Sequence, residues 1–195
     1  MGIISTPDSI ITSAMGIAAL TKGRRVYVLG SDNLKDCIRG SEAIITGDQP
    51  EDVVIGFDGK INFDHIRDAC QKILLGARFL ATNPDVWIQS ELGIVPENGS
   101  ILAAITSITK IQPIIIGKPN SPMIEIALSD PDIKRDSAVI IGDNLDTDIA
   151  AANSIGLRSI LLLTGVTNSK TAEASVIKAS WIAKDYKALE AILFS

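Results

Sequence analysis

The run Val139-Ile140-Ile141-Gly142-Asp143-Asn144-Leu145-Asp146-Thr147-Asp148 decides how the rest of the chain is read. Three β-branched residues closed by a glycine read as a strand buried on both faces, the pattern of a parallel sheet. Asp143 then stands at the C-terminal tip of that strand, the edge of an open α/β sheet where ligands bind. A carboxylate there suits a hard divalent cation such as Mg2+, which takes a few carboxylates and keeps several waters. The acids that follow also have a structural use. Asp146 or Thr147 caps the next helix and Asp148 offsets its dipole, effects of about 0.3–2 kcal/mol each.

The same arrangement occurs upstream in Pro113-Ile114-Ile115-Ile116-Gly117-Lys118-Pro119. Pro119 biases Lys118 towards an extended backbone, which projects the side chain from the strand tip. An ammonium there holds a phosphoryl group or a neighbouring carboxylate as a point charge; alone, it reads as a solvated loop lysine. A third element, Arg78-Phe79-Leu80-Ala81-Thr82-Asn83-Pro84-Asp85, offers Asn83 and Asp85 as substrate contacts, or equally as an Asx-turn at a strand end.

Working outward, further strand patterns lie at Arg25–Leu29, Val53–Phe57, Arg158–Leu163 and Trp181–Ala183. They alternate with amphipathic segments at Phe63–Leu75 (capped by Asn62 or Asp64), Ser100–Thr109, Asp146–Ile155 and Tyr186–Leu193. Strand–helix alternation predicts an α/β fold with a mainly parallel sheet. Asn83–Gly99, with Pro84, Pro96 and no clean period, reads as a domain boundary, and Lys22-Gly23 as another.

Composition excludes several functions. Of 195 residues, 46% are hydrophobic and 21% charged, with a net charge of -5. Lys and Arg are scattered, so the basic footprint of a nucleic-acid binder is missing. The two cysteines, Cys37 and Cys70, and the single histidine, His65, form neither a zinc set nor a disulfide framework. They fit a reducing cytoplasm, with the thiols buried and inert and His65 on a helix surface. Met1-Gly2-Ile3-Ile4-Ser5-Thr6 matches the bare myristoylation pattern without a polybasic patch. The apolar stretch Ile10–Leu20 has Pro7-Asp8 and no basic residues before it, so it does not read as a signal sequence. Nor does any apolar run reach the length of about 18 residues that a membrane span needs. A Gly-x-Ser-x-Gly elbow, a Walker A loop and a Gly-x-Gly-x-x-Gly turn after a strand are all lacking.

Strand-Gly-Lys-Pro followed by strand-Gly-Asp-x-x-x-Thr-Asp resembles the third and fourth motifs of the haloacid dehalogenase-like hydrolases. Gly76–Asp85, Gly93–Ile101 and the helix around Ile11-Thr12-Ser13-Ala14-Met15 are similar to the cap region of the nitrophenyl-phosphatase and nucleotide-phosphatase (NagD-like) subgroup. The resemblance runs through nearly the whole chain in the family's order. It implies a Rossmann-like core carrying an inserted α/β cap. Residues 1–22 would form a core helix, 23–98 the cap and 99–195 the core. It also implies Mg2+-dependent removal of phosphate from a small phosphorylated metabolite. Lys118 would steady the nucleophile and phosphate, Asp143 and Asp148 would form the metal site, and Asn83, Asp85 and Asn144 would contact the substrate.

The departure from the family lies at the start. Family members open with a strand ending in Asp-x-Asp-Gly, whose first Asp is the nucleophile, and this chain begins almost at the helix spanning Asp8–Thr21. Gly56-Phe57-Asp58-Gly59 resembles that motif only in part, since Gly56 takes the nucleophile's place, and it reads as a cap turn. The expectation is therefore an N-terminally incomplete core. The chain would be inactive as a phosphatase, or alternatively a non-catalytic phosphate- or metal-binding module on the same fold. A sheet short of a central strand exposes apolar edges, which predicts a homodimer or a rearranged sheet.

Overall fold

A continuous apolar run needs cover on both faces, and β3 (Asp52–Ile55) shows the result, with all four residues buried. It lies at the centre of a five-stranded parallel sheet in the computed structural model, which describes residues 9–91 and 93–194. The myristoylation pattern and Pro7-Asp8 fall outside the described residues. The chain divides into two compact units, Met1–Gly117 and Lys118–Ser195.

In the first unit, α1 (Ser13–Leu20) is capped by Thr12, whose side chain accepts from the Met15 N–H. There follow β1 (Arg25–Leu29), α2 (Asp32–Gly40), β2 (Ile44–Ile45), β3, α3 (Phe63–Leu74) and β4 (Arg78–Ala81). An antiparallel hairpin, β5 (Trp87–Ser90) and β6 (Gly93–Pro96), then leads through α4 (Asn98–Thr109) to β7 (Ile114–Ile115). The sheet order is β2-β1-β3-β4-β7. Its core joins Val53, Ile55, Phe79 and Ala81 from the strands to Cys70 and Ile73 of α3 and Leu102 and Ile105 of α4. α3 begins at a capping box: Asn62 accepts from the His65 N–H, and His65 Nδ1 accepts from the Asn62 N–H. This gives the single histidine a structural use at a helix start.

The N-terminal ends of three neighbouring strands meet at one buried charge. Asp52 has no exposed surface, and its carboxylate accepts from Arg24 Nε at 2.7 Å and from Arg78 Nε and Nη2 at 2.5 and 2.8 Å. Arg24 precedes β1 and Arg78 opens β4, so this triad ties β1, β3 and β4 together at the same end.

The second unit holds α5 (Pro122–Leu128), β8 (Val139–Gly142), α6 (Ala150–Ser154), β9 (Arg158–Leu162), α7 (Ser169–Ala174), β10 (Trp181–Ala183) and α8 (Tyr186–Leu193). Its parallel sheet has the order β10-β9-β8. β9 alternates between two small cores. Leu161 packs with Leu145, Ile149 and Ala172, whereas Ile160 and Leu162 pack with Ala183 and Leu189. A period of two puts successive side chains on opposite faces, so a strand covered on both must be apolar at every position. Among the described residues β8 pairs only with β9, and its Ile141 is 43% exposed.

Asn83–Gly99 contains the hairpin, and the compact unit that holds it runs on through α4 and β7 to Gly117. The hairpin strands carry Trp87-Ile88 and Ile94-Val95 as adjacent apolar pairs and end in serine and proline, so no period-two signal survives. The helix after β8 opens with a π-helical turn at Leu145–Ile149, and its cap is Asn144 rather than Asp146 or Thr147.

Both thiols are free. Desolvation pushes the Cys37 and Cys70 thiols up from their ordinary range. A raised thiol pKa favours the neutral folded form. Its contribution to stability is full below the ordinary thiol range and is lost as pH rises through the raised values. We expect Cys70 to react with a disulfide reagent at pH 8 far more slowly in folded than in urea-unfolded protein. Equal absorbance traces for the two would contradict its burial.

Candidate functional site

Parallel pairing with β9 carries β8 out to Gly142, and Asp143 follows at the C-terminal edge of the sheet. The loop after β9 lies against it. Val166 N–H donates to Asp143 Oδ2 at 2.8 Å, and Thr167 N–H donates to the Asp143 carbonyl at 3.0 Å. Among the described residues Asp143 Oδ1 has no hydrogen-bond partner.

The π-helical turn brings Asp148 back beneath the strand end. A Cβ on Gly142 would run into the Asp148 side chain, so glycine is the residue that lets the two segments approach. Asp148 is 7% exposed, and both of its oxygens are engaged. Lys118 Nζ donates to Oδ1 at 2.5 Å and Asn144 N–H donates to Oδ2 at 3.2 Å. A buried carboxylate needs such compensation, because an unpaired one is costly. The Asn144 side chain accepts from the Asp146 N–H at 2.9 Å, so its amide oxygen caps the turn. Asp148 therefore gathers Lys118 and the Asn144 N–H at the C-terminal end of β8, where Asp143 follows the strand.

Asn83 and Asp85 lie in the first unit, after β4. Asn83 Nδ2 donates to Asp85 Oδ2 at 2.7 Å and to Glu97 Oε2 at 3.0 Å, and Thr82 Oγ1 donates to Asn83 Oδ1 at 2.8 Å. The same Glu97 carboxylate accepts from the Asn98 N–H at the start of α4. Gly99 sits against the Pro84 and Asp85 carbonyls, where a side chain has no room. Beside this cluster is a cleft of about 260 Å³ lined by Phe57, Asp58, Ile61, Val95, Pro96 and Asn98. Asn98 is 1% exposed; its amide donates to the Asn83 carbonyl at 2.9 Å, and its Oδ1 has no hydrogen-bond partner.

Sequence reasoning passed over Glu97 as a partner of Asn83, although an acid one residue ahead of a helix is a capping signal. It also passed over Gly165-Val166-Thr167, whose only mark is a glycine just beyond a buried strand. Among the described residues no group of three or more His, Cys, Asp or Glu is arranged to hold a metal ion.

A parallel sheet ending in Gly-Asp, with a lysine ion-paired to the turn that follows, defines an α/β protein whose polar residues gather at the C-terminal end of a strand. A family model described as HAD-hydrolase-like matches residues 115–189. The acid sugar phosphatase of Staphylococcus saprophyticus is 32% identical over 190 residues, covering 95% of this chain and 73% of that protein. The ribonucleotide monophosphatase NagD of Escherichia coli K12 is 34% identical over 183 residues, covering 92% and 72%. Among solved structures, the glycerol phosphate phosphatase of Mycobacterium tuberculosis in complex with magnesium superposes with a TM-score of 0.88 at 30% identity. That match covers 96% of this chain, which spans only 60% of the mycobacterial chain. The chain belongs to the haloacid dehalogenase-like hydrolases, in their NagD-like, capped branch.

Proposed function

We propose that this chain carries the acidic and lysine half of a Mg2+-dependent phosphatase site for a small organic phosphate. The observation behind this reading is the ion pair that holds Lys118 against Asp148, in the turn that directly follows Asp143. Lys118 presents a positive charge to the phosphoryl group, and Asp148 keeps that ammonium in place. Asp148 supports the acidic site from within, its two oxygens accepting from Lys118 and the Asn144 N–H. Asp143 Oδ1 remains for the metal. A single open carboxylate oxygen fits Mg2+, which keeps most of its waters and is otherwise held by substrate phosphate. Mg2+ bound there supplies the charge that offsets the phosphate's own.

The first unit beyond α1 serves as the cap and the second unit as part of the core. Asn83 and Asp85 brace the Glu97–Asn98 wall of the first unit's own cleft and serve there as polar substrate contacts. Asn144 shapes the turn beside Asp143, its N–H donating to Asp148 and its side chain capping the turn, and serves as a substrate contact from there. The two unpaired thiols suit the reducing conditions of a cytoplasm. No described helix is long and apolar enough to cross a membrane.

The 195 residues contain no Asp-x-Asp-Gly, so the reading includes no turnover by this chain alone. The test is a chimera that joins the chain behind the residues of the staphylococcal relative that lie ahead of the matching region. We expect it to hydrolyse p-nitrophenyl phosphate with Mg2+ and to lose that activity on Asp143→Asn. A folded chimera without turnover would favour a phosphate- or metal-binding module instead. We also propose that the chain alone forms a homodimer through the outer edge of β8. Light scattering should give twice the chain mass, and a monomer at all concentrations would count against it.

A further inference from the structure

We infer that the turn Gly165-Val166-Thr167 is a positioning element for Asp143, fixing which carboxylate oxygen faces a cation. This rests on the reading of Asp143 as the metal-binding residue. Three hydrogen bonds join the turn to the strand end. Val166 N–H takes Asp143 Oδ2, Thr167 N–H takes the Asp143 carbonyl, and Leu145 N–H donates to Thr167 Oγ1 at 3.4 Å. Both the backbone and the carboxylate of Asp143 are thereby held from one side, and Oδ1 is the oxygen left over. The Val166 side chain is 72% exposed, so it adds little packing, and its N–H is the part that acts. Thr167 is 4% exposed, and its hydroxyl is committed to the turn after Asp143.

Gly165 sets the approach. A Cβ built there would lie 2.6 Å from Asp143 Cγ and 2.8 Å from its Cβ, and closer still to Oδ2. Gly165 is not among the glycines with positive φ, so the backbone itself accepts alanine. Glycine is required for space against one carboxylate rather than for conformation. Outer residues that orient a ligand in this way typically change metal affinity by about 10–100-fold when altered.

The experiment uses the whole chain and has two parts. A thermal-melting cycle compares Gly165→Ala in the parent and in Asp143→Gly, which removes every Asp143 side-chain atom the new methyl would meet. We expect a drop of roughly 4–8 °C in the parent, from overpacking, and little change in the Asp143→Gly background. A Mg2+ titration is then followed by the amide NMR resonances of Asn144 and Val166. Gly165→Ala should weaken the apparent affinity about tenfold or more, with the remaining amide spectrum folded. Equal melting losses in both backgrounds would overturn the inference. So would coupling in the melts with an unchanged Mg2+ midpoint. If Mg2+ moves no resonance even in the parent, the metal reading fails, and the melting cycle alone decides whether the turn holds Asp143.

Discussion

Purified 195-residue chain, supplied with p-nitrophenyl phosphate, sugar phosphates, nucleotides and ample Mg2+, is expected to release no phosphate above a protein-free control. Phosphate monoesters are among the slowest substrates in water, with enzymatic accelerations reaching about 10^21. The family meets that barrier through a covalent aspartyl-phosphate, which divides one hard displacement into two easier ones. Within these 195 residues the closest approach to the required motif is Gly56-Phe57-Asp58-Gly59, which lines a cleft of the first unit. In the proposed roles Lys118 and Asp143 would offset charge but would form no bond to phosphorus. In a serine protease, losing the nucleophile alone lowers turnover by about 10^6, and a comparable loss leaves nothing to detect here. The decisive comparison is the parent chain with Asp143→Asn. Turnover that the substitution abolishes would mean that a nucleophile is present after all, and Asp58 would be the first residue to replace.

The largest stability effect is expected at Asp52. Asp52→Ala should cost about 3 kcal/mol, the lower end of the range for removing one partner of a buried ion pair. The lower end is appropriate because Arg24 and Arg78 keep 33% and 39% of their side-chain surface in solvent and can rehydrate. Two neighbouring guanidinium groups would nonetheless be left facing each other across the end of β3. Hydrogen bonding to Asp52 already pushes Arg78 above its ordinary pKa. Urea unfolding followed by circular dichroism measures the loss as a lower midpoint at unchanged slope. A midpoint within error of the parent would show that the triad adds nothing to the fold.

The parallel sheets were legible because buried strands declare themselves. Val53-Val54-Ile55 and Ile160-Leu161-Leu162 are apolar at successive positions, and the structure covers both of their faces. β2 and the hairpin were not legible. Ile44–Ile45 is too short to show any period, and Trp87 and Ile94 are exposed, so no burial pattern was imposed on the hairpin's residues. α2 was missed although Ser31 caps it and Asp32 and Arg39 lie at the dipole-favoured ends, because its apolar stripe rests on few residues such as Leu34 and Ile38. At the site, Asp143 and Lys118 stood out by following strand-glycine runs. The pairing of Asp148 with Lys118 did not, because the two lie far apart in the chain and no local spacing encodes their contact. The ties of Asn83 to Asp85 and Glu97 depend on the path of the chain through the hairpin, which no local pattern encodes.

The Asp52 triad closes one end of the first unit's strands, whereas their other end gives way to loops at Gly30, Gly56 and Thr82. Rigidity and adaptability are thus assigned to opposite ends of the same three strands. Segments at the loop end can be exchanged, lengthened or recombined between relatives without cutting the ionic tie that secures the sheet. A library that grafts new sequences between Phe57 and Ile61, with Arg24, Asp52 and Arg78 untouched, should therefore return mostly folded proteins. Shuffling at the tied end should return mostly unfolded ones.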